Sequence, residues 1–230
     1  MNQKNEIKIL KTIPEKQQTR TLYERIFQDT KAFTDFYYLE KCKNDNRILV
    51  KEINKEIVAM VHMIPYTFQM CGQGIKSFYI FAVATDERYR RMGMMQQLLD
   101  KALEVARQEH AAFLYLLPVH PEVYKKAGYQ TICNFTCLRA DEYDDYTQIQ
   151  ASYDYYILRD EEYMRLDRLK RAALMQDVEE DTGLPENAVI MAKIVDVKKL
   201  QTVLHLSNTA TGQEVLEKLR QLKGYVCEDV

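Results

Sequence analysis

At 230 residues the chain is long enough for one full domain and a smaller unit, and so for one sizeable hydrophobic core. Its 32 Lys and Arg stand against 34 Asp and Glu, a formal net charge of -2, so no global basic field draws it to nucleic acid or an anionic membrane, and any anion site must be local. No run approaches the roughly 18–20 apolar residues of a membrane span, the opening MNQKNEIKIL lacks the basic-then-apolar pattern of a leader, and the expected location is the cytoplasm.

Within EKQQTRTLYERIFQDTKAFTDFYYLEKC, the residues Leu22, Ile26, Phe33, Phe36, Tyr37 and Leu39 recur at helical intervals, broken near Asp29 and Thr30, which predicts two helices. From Arg47 to Thr85 the pattern turns β-branched and aromatic. Punctuation at Asn54-Lys55 and at Cys71-Gly72-Gln73-Gly74 divides it into a three-stranded antiparallel meander. Next, Met95, Leu98, Leu99, Ala102, Leu103 and Ala106 outline an amphipathic helix from about Gly93 to Glu109. AAFLYLLP, ended by Pro118, is apolar almost throughout, as a strand buried on both faces would be. Strand, helix and strand in that order predict a right-handed crossover between parallel strands. PEVYKKAG reads as a short helix closed by Gly128, and YQTICNFTCLRA as a further strand.

Beyond Arg139 the chain becomes acidic and rich in tyrosine (143, 146, 153, 155, 156 and 163, read as packing or interface residues), then helical with Leu166, Leu169 and Ala173 on one face. A loop comes next at Asp181-Thr182-Gly183-Leu184-Pro185, then a strand in AVIMAKIV, a helix capped by Asp196 and a last helix after Gly212. So few strands read as an appendage. The expected organisation is a main domain over residues 1–140 and a small α/β appendage over 141–230, in the α/β class with a mixed central sheet flanked by helices.

Cys42, Cys71, Cys133, Cys137 and Cys227 are odd in number and scattered, which predicts reduced and mostly buried thiols. His62, His110, His120 and His205 show no spacing that converges on a metal, so none is expected.

The chemistry concentrates in TDERYRRMGMMQQLL, where Arg88, Arg90 and Arg91 lie between the last strand of the meander and the long helix. A strand entering a helix through a glycine turn leaves backbone N–H groups pointing outward at the positive end of the helix dipole. Gly93 lets the main chain approach an anion closely, and Arg90 and Arg91 supply donors suited to phosphate oxygens, so a pyrophosphate is the expected ligand.

VATDERYRRMGMMQQLL resembles the acetyl-CoA pyrophosphate loop of the GNAT superfamily of N-acyltransferases, whose pattern is Q/R-x-x-G-x-G/A. Here it reads Arg90-x-x-Gly93-x-Met95, with Met where Gly or Ala is usual, a departure similar to that of the Eis-type acetyltransferases. EVYKKAGYQ resembles a second element of that branch, and together the two motifs support a resemblance over residues 6 to 140. It implies the GNAT fold, with Val83, Ala84 and Thr85 ending the strand that pairs with the pantetheine arm. Arg91, Met92, Gly93, Met94, Met95 and Gln96 would hold the pyrophosphate, and Val119 and His120 would sit where two parallel strands splay. Tyr124 matches the tyrosine that protonates the departing CoA thiolate, a role for which a phenol of pKa near ~10 is suited.

The resemblance implies direct transfer of an acetyl group from acetyl-CoA to a primary amine, polarised by a backbone N–H near Val83. No cysteine lies in either motif, which disfavours a covalent route. The acceptor would be a small-molecule amine or a lysine side chain, with neither nucleic acid nor membrane as partner and a homo-oligomer allowed for. A base is required that the motifs do not identify: Glu122 qualifies by proximity. In Eis-like proteins the carboxylate of the chain's own end has the role, but the resemblance does not carry it to the Val230 carboxylate, because 230 residues are expected to be too few for their intervening domain, although AVIMAKIVDVKKL loosely resembles the start of their last unit. Several residues have plainer readings. Met94 and Met95 suit the core face of the helix, and His120 suits a turn beside Pro121. The rival function is a non-catalytic acyl-CoA-binding regulatory module, which would keep the arginine turn but be indifferent to loss of Tyr124.

Overall fold

The computed structural model describes residues 6–42, 46–136, 146–174 and 187–227. Its first element is a strand that periodicity does not announce: β1 (Ile7–Leu10), four residues long, lies antiparallel to β2 (Arg47–Ile53) with Ile7 opposite Lys51 and Leu10 opposite Ile48. Helix α1 (Ile13–Gln17) starts at a capping box in which Thr12 and Glu15 each satisfy the other's backbone N–H. Helix α2 (Arg20–Phe27) stops where Gln28 turns left-handed (φ 57), and Thr30 caps α3 (Lys31–Phe36) by accepting from Phe33 N at 3.2 Å. The last helix runs into a π-helical turn, Tyr37–Lys41, closed by Cys42 N donating to Tyr37 O at 2.7 Å. Three short helices thus stand where two were expected. The break falls at the expected place, but five residues of α1 are too few to show a period.

The meander forms as predicted. Asn54 and Lys55 (φ 52 and 67) join β2 to β3 (Glu56–Met70), and Cys71 and Gly72 (φ 47 and 80) join β3 to β4 (Gln73–Thr85). Two central residues with positive φ mark the turn type whose twist matches a hairpin. The long helix α4 (Met94–Gln108) then leads to β5 (Phe113–Leu116), which lies parallel to β4 with Phe78 opposite Leu114 and Tyr79 opposite Tyr115. Every residue of β5 is buried, as its apolar run requires. Helix α5 (Pro121–Lys126) is succeeded by left-handed Gly128 (φ 85) and by β6 (Gln130–Asn134).

The later elements are α6 (Tyr146–Ser152), β7 (Tyr155–Ile157), α7 (Glu161–Leu174), β8 (Val189–Ile194), α8 (Val197–Val203), α9 (Gly212–Gln221) and β9 (Gly224–Tyr225). Asp196 caps α8 as expected, its carboxylate accepting from Lys199 N at 2.9 Å. Hydrogen bonding orders the strands β1-β2-β3-β4-β5-β8-β6, while β7 pairs with β3 and β9. The sheet is mixed and α/β in class. β8 runs antiparallel between β5 and β6, with Leu116 and Thr131 both opposite Met191. The physical reason is that a strand buried on both faces needs hydrogen-bonding neighbours on both edges, and periodicity does not name them.

Chain contacts divide the molecule into two units, with β3 and β4 contributing to both. The first gathers residues up to Ile64, Ile80–Glu104 and the α7 segment from Arg159. In it Tyr37 stacks on Tyr23 (centroids 5.7 Å apart) and packs against Phe81 (5.0 Å), and its hydroxyl meets His62 Nδ1 at 2.6 Å. Burial, helped by the Lys16 ammonium, pulls the His62 imidazole down to about 3, so it is neutral. The second unit comprises Pro65–Tyr79, Val105–Leu158 and the chain after Thr182. Phe68 there meets Phe113 and Tyr115 edge-on at 5.0 and 5.1 Å.

Of the described cysteines only Cys42 is buried, which corrects the expectation of mostly buried thiols: Cys71 sits exposed in its hairpin turn, and Cys133 and Cys227 are half-buried. All four are free thiols. Cys137, the boundary expected near residue 140, the loop at 181–185 and the Val230 carboxylate lie outside the described residues. Among the described residues no helix is long and apolar enough to cross a membrane, and no group of three His, Cys, Asp or Glu is placed to hold a metal ion.

Candidate active site

Pairing of β4 with β5 covers only Phe78 and Tyr79, yet β4 continues to Thr85. Within that extension Ala82 is left-handed (φ 47), a conformation disfavoured for a residue with a Cβ and found where a strand is re-aimed. Ala82 and Ala84 are buried, whereas Val83 and Thr85 are half-exposed.

At Asp86 the chain leaves the sheet, its N–H donating to Val58 O at 2.8 Å. The Asp86 carboxylate caps a 3-10 turn, Glu87–Tyr89, accepting from Arg88 N at 3.0 Å. It also accepts from Arg88 Nε and Nη2 at 3.1 and 2.8 Å and from Arg25 Nη2, on α2, at 2.5 Å. Hydrogen bonds from Arg88, with the two guanidinium charges, hold this buried carboxyl well below the usual carboxylate range. Arg88 also bridges to Glu56 at 2.8 Å. Its charge is therefore engaged within the protein.

The other two arginines differ. Arg90 is exposed, donates from Nε to Thr85 O at 3.3 Å and lies 3.5 Å from Glu87. Arg91 is exposed and left-handed (φ 64), and makes no hydrogen bond or ion pair among the described residues. Gly93 is left-handed too (φ 74), and a Cβ there would meet nothing nearer than Gln97 Nε2 at 3.8 Å. Conformation, not space, demands the glycine. Gln97 N donates to Gly93 O at 3.1 Å, so Gly93 stands at the cap of α4, and the N–H groups of Met94, Met95 and Gln96 lie in a first turn that offers them no helical acceptor. Beneath that turn the buried Lys51 reaches from β2 to the Gln97 carboxamide. Met94 is buried in the core, Met95 is half-buried, and Met92 points outward at 59% exposure.

Val119, His120 and Tyr124 belong to the second unit. His120 occupies the cap position of α5 without a side-chain capping bond, and Pro121 stands at the first helical position. Val119 and His120 are exposed. Tyr124 is half-buried, with its ring edge-on to Tyr129 at 6.0 Å, and burial pushes its phenol up to about 12. Glu122 is exposed and ion-paired with Lys125 at 2.6 Å.

The structure thus brings Val83, Ala84, Thr85 and the residues from Arg90 to Gln96 together at one strand-to-helix turn, and sets Val119, His120 and Tyr124 on a loop and short helix of the other unit. Sequence reasoning missed Asp86, Arg25 and Lys51. An Asp opening a turn is a readable capping signal, but its partner on α2 is far away in the chain and no spacing rule reaches it.

Residues 9–132 match the family model of the acetyltransferase (GNAT) domain. Among solved structures the chain is similar to a probable N-acyltransferase from Enterococcus faecalis, with 12% identity over 86% of this chain and 75% of that one and a TM-score of 0.63. It is similar to a GCN5-related N-acetyltransferase from Anabaena variabilis, with 15% identity, the same coverages and a TM-score of 0.57. Eis1 from Mycobacterium abscessus aligns with 73% of this chain and 49% of its own at 14% identity and a TM-score of 0.56. At these identities the likeness is one of fold. No curated protein sequence matches significantly.

Proposed function

The chain belongs to the GNAT acetyltransferases, and from that membership we propose that it transfers an acetyl group from acetyl-CoA directly to a primary amine, on a small molecule or a lysine side chain. Within the superfamily we place it beside the Eis-type enzymes, acting in the cytoplasm. The observation that carries the reading is the turn at Arg91 and Gly93, where an uncommitted guanidinium and the open amino end of α4 meet at a left-handed glycine.

This donor set fits a diphosphate. Backbone N–H groups of a helix's first turn and an arginine fork are the partners that phosphate oxygens take. In our reading Arg90, Arg91, Met92, Gly93 and the backbone of Met94, Met95 and Gln96 bind that group, with Met94 serving through its main chain because its side chain is buried. Val83, Ala84 and Thr85 offer backbone hydrogen bonds to the pantetheine arm, and the N–H near Val83 polarises the acyl carbonyl. Val119 and His120 complete the cofactor contacts.

Acetyl-CoA supplies the acyl group as a thioester. The amine's C–N bond forms as the C–S bond breaks, the nitrogen gives up its proton to a base, and Tyr124 donates the proton that the leaving sulfur takes up. At about 12 its phenol stays protonated throughout the working pH range. Glu122, ion-paired with Lys125 on the surface, is the candidate for that base by proximity. We assign the transfer chemistry to residues 1–140, with 141–230 supporting it through β8. The test is acetyl-CoA consumption across a panel of polyamines, aminoglycosides and lysine peptides. Turnover with at least one amine, lost in Tyr124→Phe while CoA binding persists, supports the reading. A chain that binds CoA but turns over nothing would identify the non-catalytic module instead.

A further inference from the structure

We propose that Asp86 is the positioning residue of the anion-gripping turn, its buried carboxylate bracing Arg88 and Arg25 so that Arg91 and Gly93 keep their left-handed conformation. The inference rests on reading that turn as the diphosphate site, and goes beyond it by naming what holds the site in shape.

An ionised carboxylate has about four lone-pair positions. At Asp86 all are used: Oδ1 accepts from Arg88 N and Nε, at 3.0 and 3.1 Å, and Oδ2 from Arg88 Nη2 and Arg25 Nη2, at 2.8 and 2.5 Å. The backbone is tied as well, by Asp86 N to Val58 O at 2.8 Å and by Tyr89 N to Asp86 O at 2.9 Å. Because Arg88 continues to Glu56 at 2.8 Å, α2, β3 and the end of β4 are cross-braced at one buried carboxylate. With every acceptor position filled, Asp86 is not a ligand-binding group. It is a fixed anchor.

The backbone just past Asp86 depends on such an anchor. Arg91 is an exposed non-glycine residue in the left-handed region, and no hydrogen bond of its own among the described residues holds it there. The chain on its far side is fixed by α4. On its near side the rigid piece is the 3-10 turn that Asp86 caps. Charge points the same way. Asp86 and Glu56 neutralise Arg25 and Arg88, leaving Arg90 and Arg91 as the arginines of the turn whose charge faces outward. Loosening the anchor would let Arg91 relax out of register with the helix amides.

The test uses the full chain. Asp86→Asn keeps the side chain's size and one acceptor oxygen while removing the charge. Calorimetric titration with CoA should show Kd raised about tenfold, equivalent to ~1.4 kcal/mol. Steady-state kinetics should show the loss as a higher KM for acetyl-CoA, with KM for the amine and kcat at saturation changed much less. Arg25→Met, which leaves Arg88 in place, should raise Kd by about threefold, and provides the decision if Asp86→Asn does not fold. A folded Asp86→Asn that melts earlier but binds CoA as the wild type does overturns the inference and leaves the diphosphate reading intact, as does an Arg25→Met of unchanged affinity. A wild-type chain that does not bind CoA overturns both.

Discussion

An ordinary phenol is already protonated at neutral pH, and the burial that pushes Tyr124 up to about 12 extends that condition through any practical alkaline assay. Tyr124→Phe should therefore lower kcat by roughly 10²- to 10⁴-fold at every pH tested, with CoA affinity retained. A pH–rate profile whose alkaline limb moved with this substitution would speak against the assignment. For Gly93 the demand is a positive φ in open space, so Gly93→Ala should cost about 1 kcal/mol of stability through backbone strain and weaken CoA binding with it, measurable by denaturant titration and calorimetry. Gly93 and Tyr124 were legible because each sits in a motif whose local spacing carries its chemistry. Asp86 was not, since its role is defined by a guanidinium on another element, and neither was the commitment of Arg88 to that carboxylate.

Elements read best where one residue type forces the backbone. The hairpin turns at Asn54-Lys55 and Cys71-Gly72 were legible from turn chemistry, and the structure adds that Lys55 bears a left-handed conformation unusual for lysine. Lys55→Gly should stabilise the protein by about 1 kcal/mol, raising Tm by roughly 2–4 °C in a thermal melt. The converse case is Gly224 in β9, where a Cβ would come within 2.1 Å of the Tyr155 ring. Gly224→Ala should force β7 and β9 apart, seen as a lower Tm and a changed near-ultraviolet spectrum from the tyrosines around Tyr225. Short elements escaped the periodic reading: β1, α1, α6 and β7 have between three and seven residues, less than two helical turns or a few alternations.

At the scale of the molecule, two chain-distant facts govern behaviour. Burial lowers the pKa of His62 to about 3 against an ordinary 6.5, so between these values the unfolded chain takes up a proton that the folded chain refuses. Stability is then full above about 6.5 and falls towards about 3, by roughly 1.4 kcal/mol per pH unit, as urea unfolding at stepped pH should show. The second fact is β8. Because it fills the place between β5 and β6, a chain ending at Thr136 should not fold, whereas a self-sufficient main domain would yield a soluble, cooperatively melting fragment. Periodicity identified β8 as a strand but left its neighbours open, since register across a sheet is settled by packing. The central claim is that the Arg91–Gly93 turn grips the diphosphate of coenzyme A, and calorimetry comparing CoA with pantetheine, which lacks that group, tests it most directly. The account predicts that CoA binds at least about 100-fold more tightly, a difference of ~2.7 kcal/mol. Equal affinities for the two would contradict it.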